Sequence, residues 1–178
     1  MRLILYLSLV VFLHSCREAT SRLDQALQLA GDNGSELQKV LEHYSDDSLK
    51  REAAIFLIEN MPGHYSLDGP YLQQLQRIID STKTPYLMKK VILMQPFRYP
   101  RSRQQLRVEP DIEQVKADYL IHQIDQTFQL WATSPWLEDL AFDDFLEYLL
   151  PYRIGNEPLD YWRDSIDSRL KNRLQEAS

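Results

Sequence analysis

Apolar residues recur along most of the chain at three- and four-residue spacing, the period of a helix with one buried face. From Ser21, the residues Leu23, Ala26, Leu27 and Ala30 form the first stripe, and Gly31 is placed to end it. Asp32, Asn33 and Gly34 read as a turn. Ser35 then reads as the N-cap of a second helix carrying Leu37, Val40, Leu41 and Tyr44. Residues 45–48 offer another cap before a third stripe of Leu49, Ala53, Phe56 and Leu57, which Met61, Pro62 and Gly63 stop. Connections this short make consecutive helices antiparallel neighbours.

Beyond a loop at 64–70, Leu72, Leu75, Ile78 and Ile79 give a fourth inward stripe over 71–80, and Thr84-Pro85 opens a brief fifth helix over 86–94. Residues 95–110 are irregular, with Arg98, Arg101, Arg103 and Arg107 against Glu109 as the only acid. They read as a solvated loop whose arginines meet acidic helices beside it. Asp111 is placed to cap the longest helix, 112–133, with Gln114 at the capping-box distance and Leu120, Ile121, Ile124, Phe128 and Trp131 inward. Ser134-Pro135 starts a short helix. Phe142, Phe145, Leu146 and Leu149 form a further stripe, ended by Pro151. After a Gly155-Asn156 turn, Pro158 begins a last helix with Leu159, Trp162, Ile166 and Leu170 inward. Period-two alternation between turn signals is not evident. The predicted fold is therefore all-α, a compact antiparallel multi-helix bundle with no significant β-sheet.

At 178 residues and 44% hydrophobic, the chain suits one domain, which at this size buries roughly two-thirds of its unfolded surface. A net charge of −6 argues against nucleic acid as a partner. The N-terminus changes the picture most. Arg2 precedes an apolar run over 3–13, shorter than the roughly 20 residues a helix needs to span a bilayer but suited to a secretory signal. Leu13-His14-Ser15-Cys16 follows and resembles a bacterial lipobox. That resemblance implies cleavage by signal peptidase II before Cys16, which then carries diacylglycerol and usually an amide-linked acyl chain, palmitate among them. Two or more acyl chains give stable anchoring. The expected organisation is a lipoprotein signal peptide over 1–16, ending at lipidated Cys16, and a single all-helical domain over 17–178. Its membrane partner is reached through the lipid anchor. Arg17 in place of an aspartate favours the outer membrane over the inner within the cell envelope. The plainer alternative is an ordinary secretory signal with a chance cysteine.

Chemistry-bearing residues are sparse. Asp118, His122 and Asp125 stand at i, i+4 and i+7 on the long helix, a spacing that can hold a metal or orient an imidazole. A second helix would have to supply more ligands, and the sequence offers none, so the three are weak metal candidates against a polar helix face with i,i+4 pairing. His43 and His64 sit beside tyrosines, His64 in a Pro-Gly turn, and more readily satisfy local structure than line a site. There is no Gly-x-Ser-x-Gly elbow and no phosphate-cradling loop, and no cofactor is expected. The densest segment is 142–163, with six aromatic residues, two prolines and one glycine. Within it, Arg153 and Glu157 lie four apart across the Gly155 turn and are expected to clamp it with bidentate hydrogen bonds. Tyr152, Arg153, Glu157, Trp162 and Arg163 are the candidates for an interface or cleft.

Several segments together resemble the helical region preceding the core of bacterial transglutaminase-like lipoproteins. They are Ala26-Leu27-Gln28-Leu29-Ala30-Gly31-Asp32-Asn33, Phe56-Leu57-Ile58-Glu59-Asn60-Met61-Pro62-Gly63-His64-Tyr65, Asp118-Tyr119-Leu120-Ile121, and Leu150-Pro151-Tyr152-Arg153-Ile154-Gly155-Asn156-Glu157-Pro158-Leu159 with Trp162-Arg163. In that family the region leads into a papain-like core whose Cys-His-Asp triad performs acyl transfer or peptide hydrolysis. This chain ends where the core would begin, and its single cysteine falls in the signal, so no thiolate nucleophile carries over. The resemblance thus implies a non-catalytic envelope lipoprotein acting as a helical scaffold or partner-binding domain, its partner a transglutaminase-like core or another envelope protein. The alternatives are a truncated fragment of such an acyltransferase or peptidase, an enzyme using His122 with Asp118 or Asp125, and an envelope glycan binder using its ten tyrosines and three tryptophans.

Overall fold

A computed structural model describes residues 20–81, 106–153, 155, 159–164 and 166. Three helices come first: α1 over Arg22–Leu29, α2 over Gly34–His43 and α3 over Ser48–Asn60. Their ends follow from local chemistry. The Ser21 hydroxyl accepts from the Asp24 amide at 3.0 Å, and the Asp47 carboxylate accepts from the Lys50 amide at 3.1 Å, each satisfying a first-turn donor that the helix itself cannot. Gly31, at φ 54°, closes α1 in the left-handed conformation that a side chain disfavours. A 3-10 turn over Gly31–Asn33 links α1 to α2. Ser35 does not cap α2, because the helix already begins at Gly34.

The chain then makes strand β1 (Tyr65–Asp68) and helix α4 (Pro70–Ser81) and, later in the sequence, strand β2 (Arg107–Pro110). β1 and β2 pair antiparallel, Tyr65 opposite Pro110 and Asp68 opposite Arg107. This small two-stranded sheet corrects the expectation of helix and loop alone. Tyr-Ser-Leu-Asp and Arg-Val-Glu-Pro carry too little alternation to announce strands, and their partners lie far apart in sequence. Arg107 accordingly belongs to a strand; the expected helix over 86–94 and Arg98, Arg101 and Arg103 lie outside the described residues.

Asp111 opens a 3-10 turn (Asp111–Glu113), and the long helix α5 spans Ala117–Thr133, starting five residues later than the capping pattern predicted. After a 3-10 turn at Pro135–Leu137, α6 (Phe142–Asp144) runs on as a π-helical turn over Phe145–Leu149. α1, α2, α3 and α5 pack against one another. Ala26, Leu37, Val40, Ala53, Ala54, Leu57, Ile58, Leu120 and Ile124 form their shared core, as the stripes predicted in large part. Leu49, Ile78 and Ile166, all assigned inward from their spacing, are exposed instead. The fold is mostly helical. Among the described residues, no helix is long and apolar enough to cross a membrane.

Candidate functional site

The aromatic-rich stretch is built onto the α5 end of the core. Trp131, near the end of α5, stacks on Phe145 at 4.4 Å and on Phe142 at 5.9 Å between ring centroids, and Phe128 meets Phe145 edge-on at 4.8 Å. Phe145 is fully buried, with Leu146, Leu150 and Tyr152 close behind. Flat rings in offset contact add to the area they bury. Phe145, Leu146, Leu150 and Tyr152 thus belong to the core, and Tyr148 and Tyr161 are the exposed rings of the stretch among the described residues.

Two of its charged groups, Arg153 and Arg163, turn inward too. Arg153, with a side chain 5% exposed, sets Nε 2.8 Å from Oδ2 of the fully buried Asp111. The Nε–H is not aligned on that oxygen, so the contact is an ion pair, while Arg153 Nη1 donates to the carbonyls of Tyr65 at 2.8 Å and Gly155 at 3.2 Å. The Tyr152 hydroxyl donates to the same Asp111 oxygen at 2.9 Å. Burial, with the Asp111 charge beside it, holds the Tyr152 phenol well above its ordinary pKa. One knot therefore ties three parts of the chain: the β1 strand, the turn before α5, and the segment after α6. The expected clamp partner Glu157 lies outside the described residues. The carboxylate found beside Arg153 is Asp111, which local spacing had assigned to a helix cap.

Arg163 makes a second knot. Its Nη2 donates to the carbonyls of Leu149 and Pro151, each at 2.8 Å, and its Nη1 donates to Oε1 of the buried Gln123. One guanidinium so satisfies carbonyls that the helix ending at Leu149 leaves open. Burial lowers the Arg163 pKa to about 10, and the group stays charged at neutral pH. The Trp162 ring lies 4.4 Å from that guanidinium, with its Nε1 donating to the Tyr152 carbonyl at 2.9 Å. Tyr152, Arg153, Trp162 and Arg163 are brought together, as the sequence grouped them, but around the chain's own backbone.

Asp118, His122 and Asp125 are not brought to one point. Asp118 accepts from the neighbouring Tyr119 amide at 2.8 Å. His122 Nε2 lies 3.0 Å from Asp164 Oδ2, with the Tyr161 ring edge-on at 5.0 Å. Asp125 faces the α2–α3 side, accepting from Tyr44 at 3.0 Å and Lys50 at 2.8 Å. No group of three or more metal-ligating side chains occurs among the described residues. His43 is exposed and edge-on to Tyr44 at 4.7 Å, and the His64 carbonyl accepts the Asp111 amide at 3.0 Å. Cys16 lies outside the described residues.

Sequence reasoning missed two anchors. The Asn33 side-chain amide donates to the carbonyls of Ile112 at 3.0 Å and Val115 at 2.9 Å, while its oxygen accepts from Lys116 at 2.8 Å. An apparent turn residue thus fastens the start of α2 to the approach to α5. Gln123, fully buried, is the other, and a glutamine inside the apolar face of α5 was the available signal. A shallow depression beside the β1–β2 sheet includes Arg107, which pairs with Asp68 at 3.1 Å and Glu109 at 3.2 Å. Comparison with protein-family models, curated proteins and solved structures gives no match. The geometry defines a mostly helical domain whose most buried charges serve its own architecture.

Proposed function

We propose that this chain is a non-catalytic lipoprotein of the bacterial cell envelope, a helical scaffold that holds a partner near the membrane. In this reading α1, α2, α3 and α5 make a compact antiparallel bundle, tethered through Cys16 to the outer membrane. The observation that carries the non-catalytic part is the use of Arg153 and Arg163: both guanidiniums, the best candidates for gripping a substrate, are buried against Asp111 and backbone carbonyls. A residue turned wholly into its own fold is positioned for stability, not for turnover. Cys16 as the single cysteine supports lipidation, because it stands where the signal-like run ends. The likeness to the region preceding a transglutaminase-like core supports a partner of that kind. Because Phe145, Leu150, Tyr152, Arg153 and Arg163 are buried, a partner would meet only the exposed side chains of this stretch, Glu147, Tyr148 and Tyr161 among them.

Expression of the full chain in a bacterial host with labelled palmitate tests the anchor. The expected result is label on the wild-type chain, an N-terminal peptide beginning at acylated Cys16, and neither with Cys16→Ser. An uncut, unacylated N-terminus overturns the lipoprotein reading. Retention of the label with a washed membrane fraction of inner-membrane density overturns the outer-membrane part alone.

A further inference from the structure

Between Lys116 and Arg153 the chain has no lysine or arginine, and its carboxylates concentrate after the end of α5. Glu138, Asp139, Asp143 and Glu147 are all exposed, and none has an ion-pair partner among the described residues. Trp131 brings α6 back against the end of α5, so the connection 134–141 and the outer side of 142–149 share this end of the domain. The negative end of the α5 dipole adds to the same potential. Set among the carboxylates are two large rings with no apolar cover, Trp136 at 73% and Tyr148 at 77% exposed. Both are near the open-surface limit, although the same few residues bury Leu137 and Phe145. Carboxylates interleaved with open aromatic faces suit Lys and Arg side chains, through charge pairing and cation–π contact together.

The same chain carries the complement. Residues 82–105 hold Lys83, Lys89, Lys90, Arg98, Arg101 and Arg103 and no acid. We infer that the acidic, aromatic end of one copy, centred on Trp136, Glu138, Asp139 and Tyr148, is the docking face for the cationic stretch 82–105 of a second copy. Among the described residues nothing apolar covers the face, and its charge complements that stretch. Because the two surfaces differ, the contact is either made twice in a two-fold dimer or repeated head-to-tail in a ring or open chain. An acidic face is also unsuited to anionic lipid, so the membrane is not its occupant. The contact needs no lipid anchor.

Zero-length carbodiimide cross-linking tests this on the full chain in a neutral detergent, with unlabelled and nitrogen-15-labelled copies mixed and the products mapped by mass spectrometry. The expected products join Lys83, Lys89 or Lys90 of one isotope to carboxylates within 138–147 of the other. Their yield should fall about tenfold in about 1 M salt, where the Debye length is about 3 Å. It should fall comparably in the Glu138→Arg, Asp139→Arg variant and in Trp136→Ala with Tyr148→Ala. Adding Arg101→Glu and Arg103→Glu to the charge-reversed variant should restore the mixed-isotope product. Absence of mixed-isotope products, or their confinement within single copies, overturns the second copy as occupant. Full yield in the doubly aromatic-deleted variant overturns this face and leaves general charge attraction.

Discussion

Asp111 and Arg153 form a buried ion pair, 2.8 Å apart, that joins the approach to α5 to the segment leaving α6. Neither group has water to fall back on, since the side chains are 0% and 5% exposed. Removing one partner strands the other charge, which in such settings costs about 3–5 kcal/mol, whereas an apolar replacement of the whole set is often near neutral. Arg153→Met should therefore lower unfolding stability by about 3–5 kcal/mol in urea titrations. Combining it with Asp111→Leu and Tyr152→Phe should recover most of that loss. A loss below about 1 kcal/mol for Arg153→Met would show that the pair is solvated.

Arg163 acts on backbone. Its Nη2 serves the carbonyls of Leu149 and Pro151 at once, and a lysine has no planar fork to do the same. Arg163→Lys should cost about 2 kcal/mol and Arg163→Ala about 3 kcal/mol or more, because hydrogen bonds from a charged donor contribute about 1.5–3 kcal/mol and buried carbonyls are left open. Amide hydrogen exchange should quicken first within 142–153. Equal stability of wild type and Arg163→Lys would refute the two-carbonyl role.

Phe145 is fully buried and lies between Trp131, Phe128 and Phe142. Phe145→Ala should cost about 3–5 kcal/mol, through lost burial and the cavity left behind. Near-ultraviolet circular dichroism should weaken in the tryptophan region, since Trp131 loses its closest stacking partner. Tyr148→Ala, on the exposed side of the same turn, should change stability by less than about 0.5 kcal/mol.

The His122–Asp164 pair offers the contrast. Both side chains are nearly half exposed, 42% and 45%. Exposed pairs contribute about 0–1 kcal/mol, so His122→Gln should shift the unfolding midpoint only slightly, and metal content by elemental analysis should be the same as wild type. A fall in bound metal with His122→Gln would revive the metal reading of Asp118, His122 and Asp125.

Tyrosines set the alkaline limit. Burial pushes the Tyr119 phenol up to about 12 from its ordinary 10.0, and burial raises Tyr44 and Tyr152 further. A folded-state pKa above the unfolded one means that the native state holds more protons between the two values, so stability falls with rising pH. The contribution is complete below about pH 10 and is lost as pH climbs through about 12 and beyond. Absorbance titration at 295 nm should show a group of tyrosines that ionises only together with loss of helical circular dichroism. Ionisation of all ten in one smooth step before unfolding would contradict the burial.

The helical character was legible in the chain itself. Ala26, Leu37, Val40, Leu57, Leu120 and Ile124 recur at helical spacing and lie in one core, because a helix buries whatever shares its face. A cap within 45–48 could be read, and Asp47 takes that place, since capping acts over three residues. The grouping of Tyr152, Arg153, Trp162 and Arg163 was legible as well, from aromatic density alone. Their orientation was not. That Arg153 meets Asp111, far back in the chain, depends on which charge the fold brings close, and spacing along the chain carries no such information. The β1–β2 pairing, the Asn33 anchor and the exposure of Leu49, Ile78 and Ile166 were closed to sequence reasoning for the same reason: each is decided by neighbours distant in the chain. Helical segments and most of their buried faces follow from short-range periodicity, which the chain carries locally. That Arg153 and Arg163 close inward on the chain's own carbonyls and on Asp111 was settled by packing between distant segments, because a buried charge takes the partner that the packing leaves beside it.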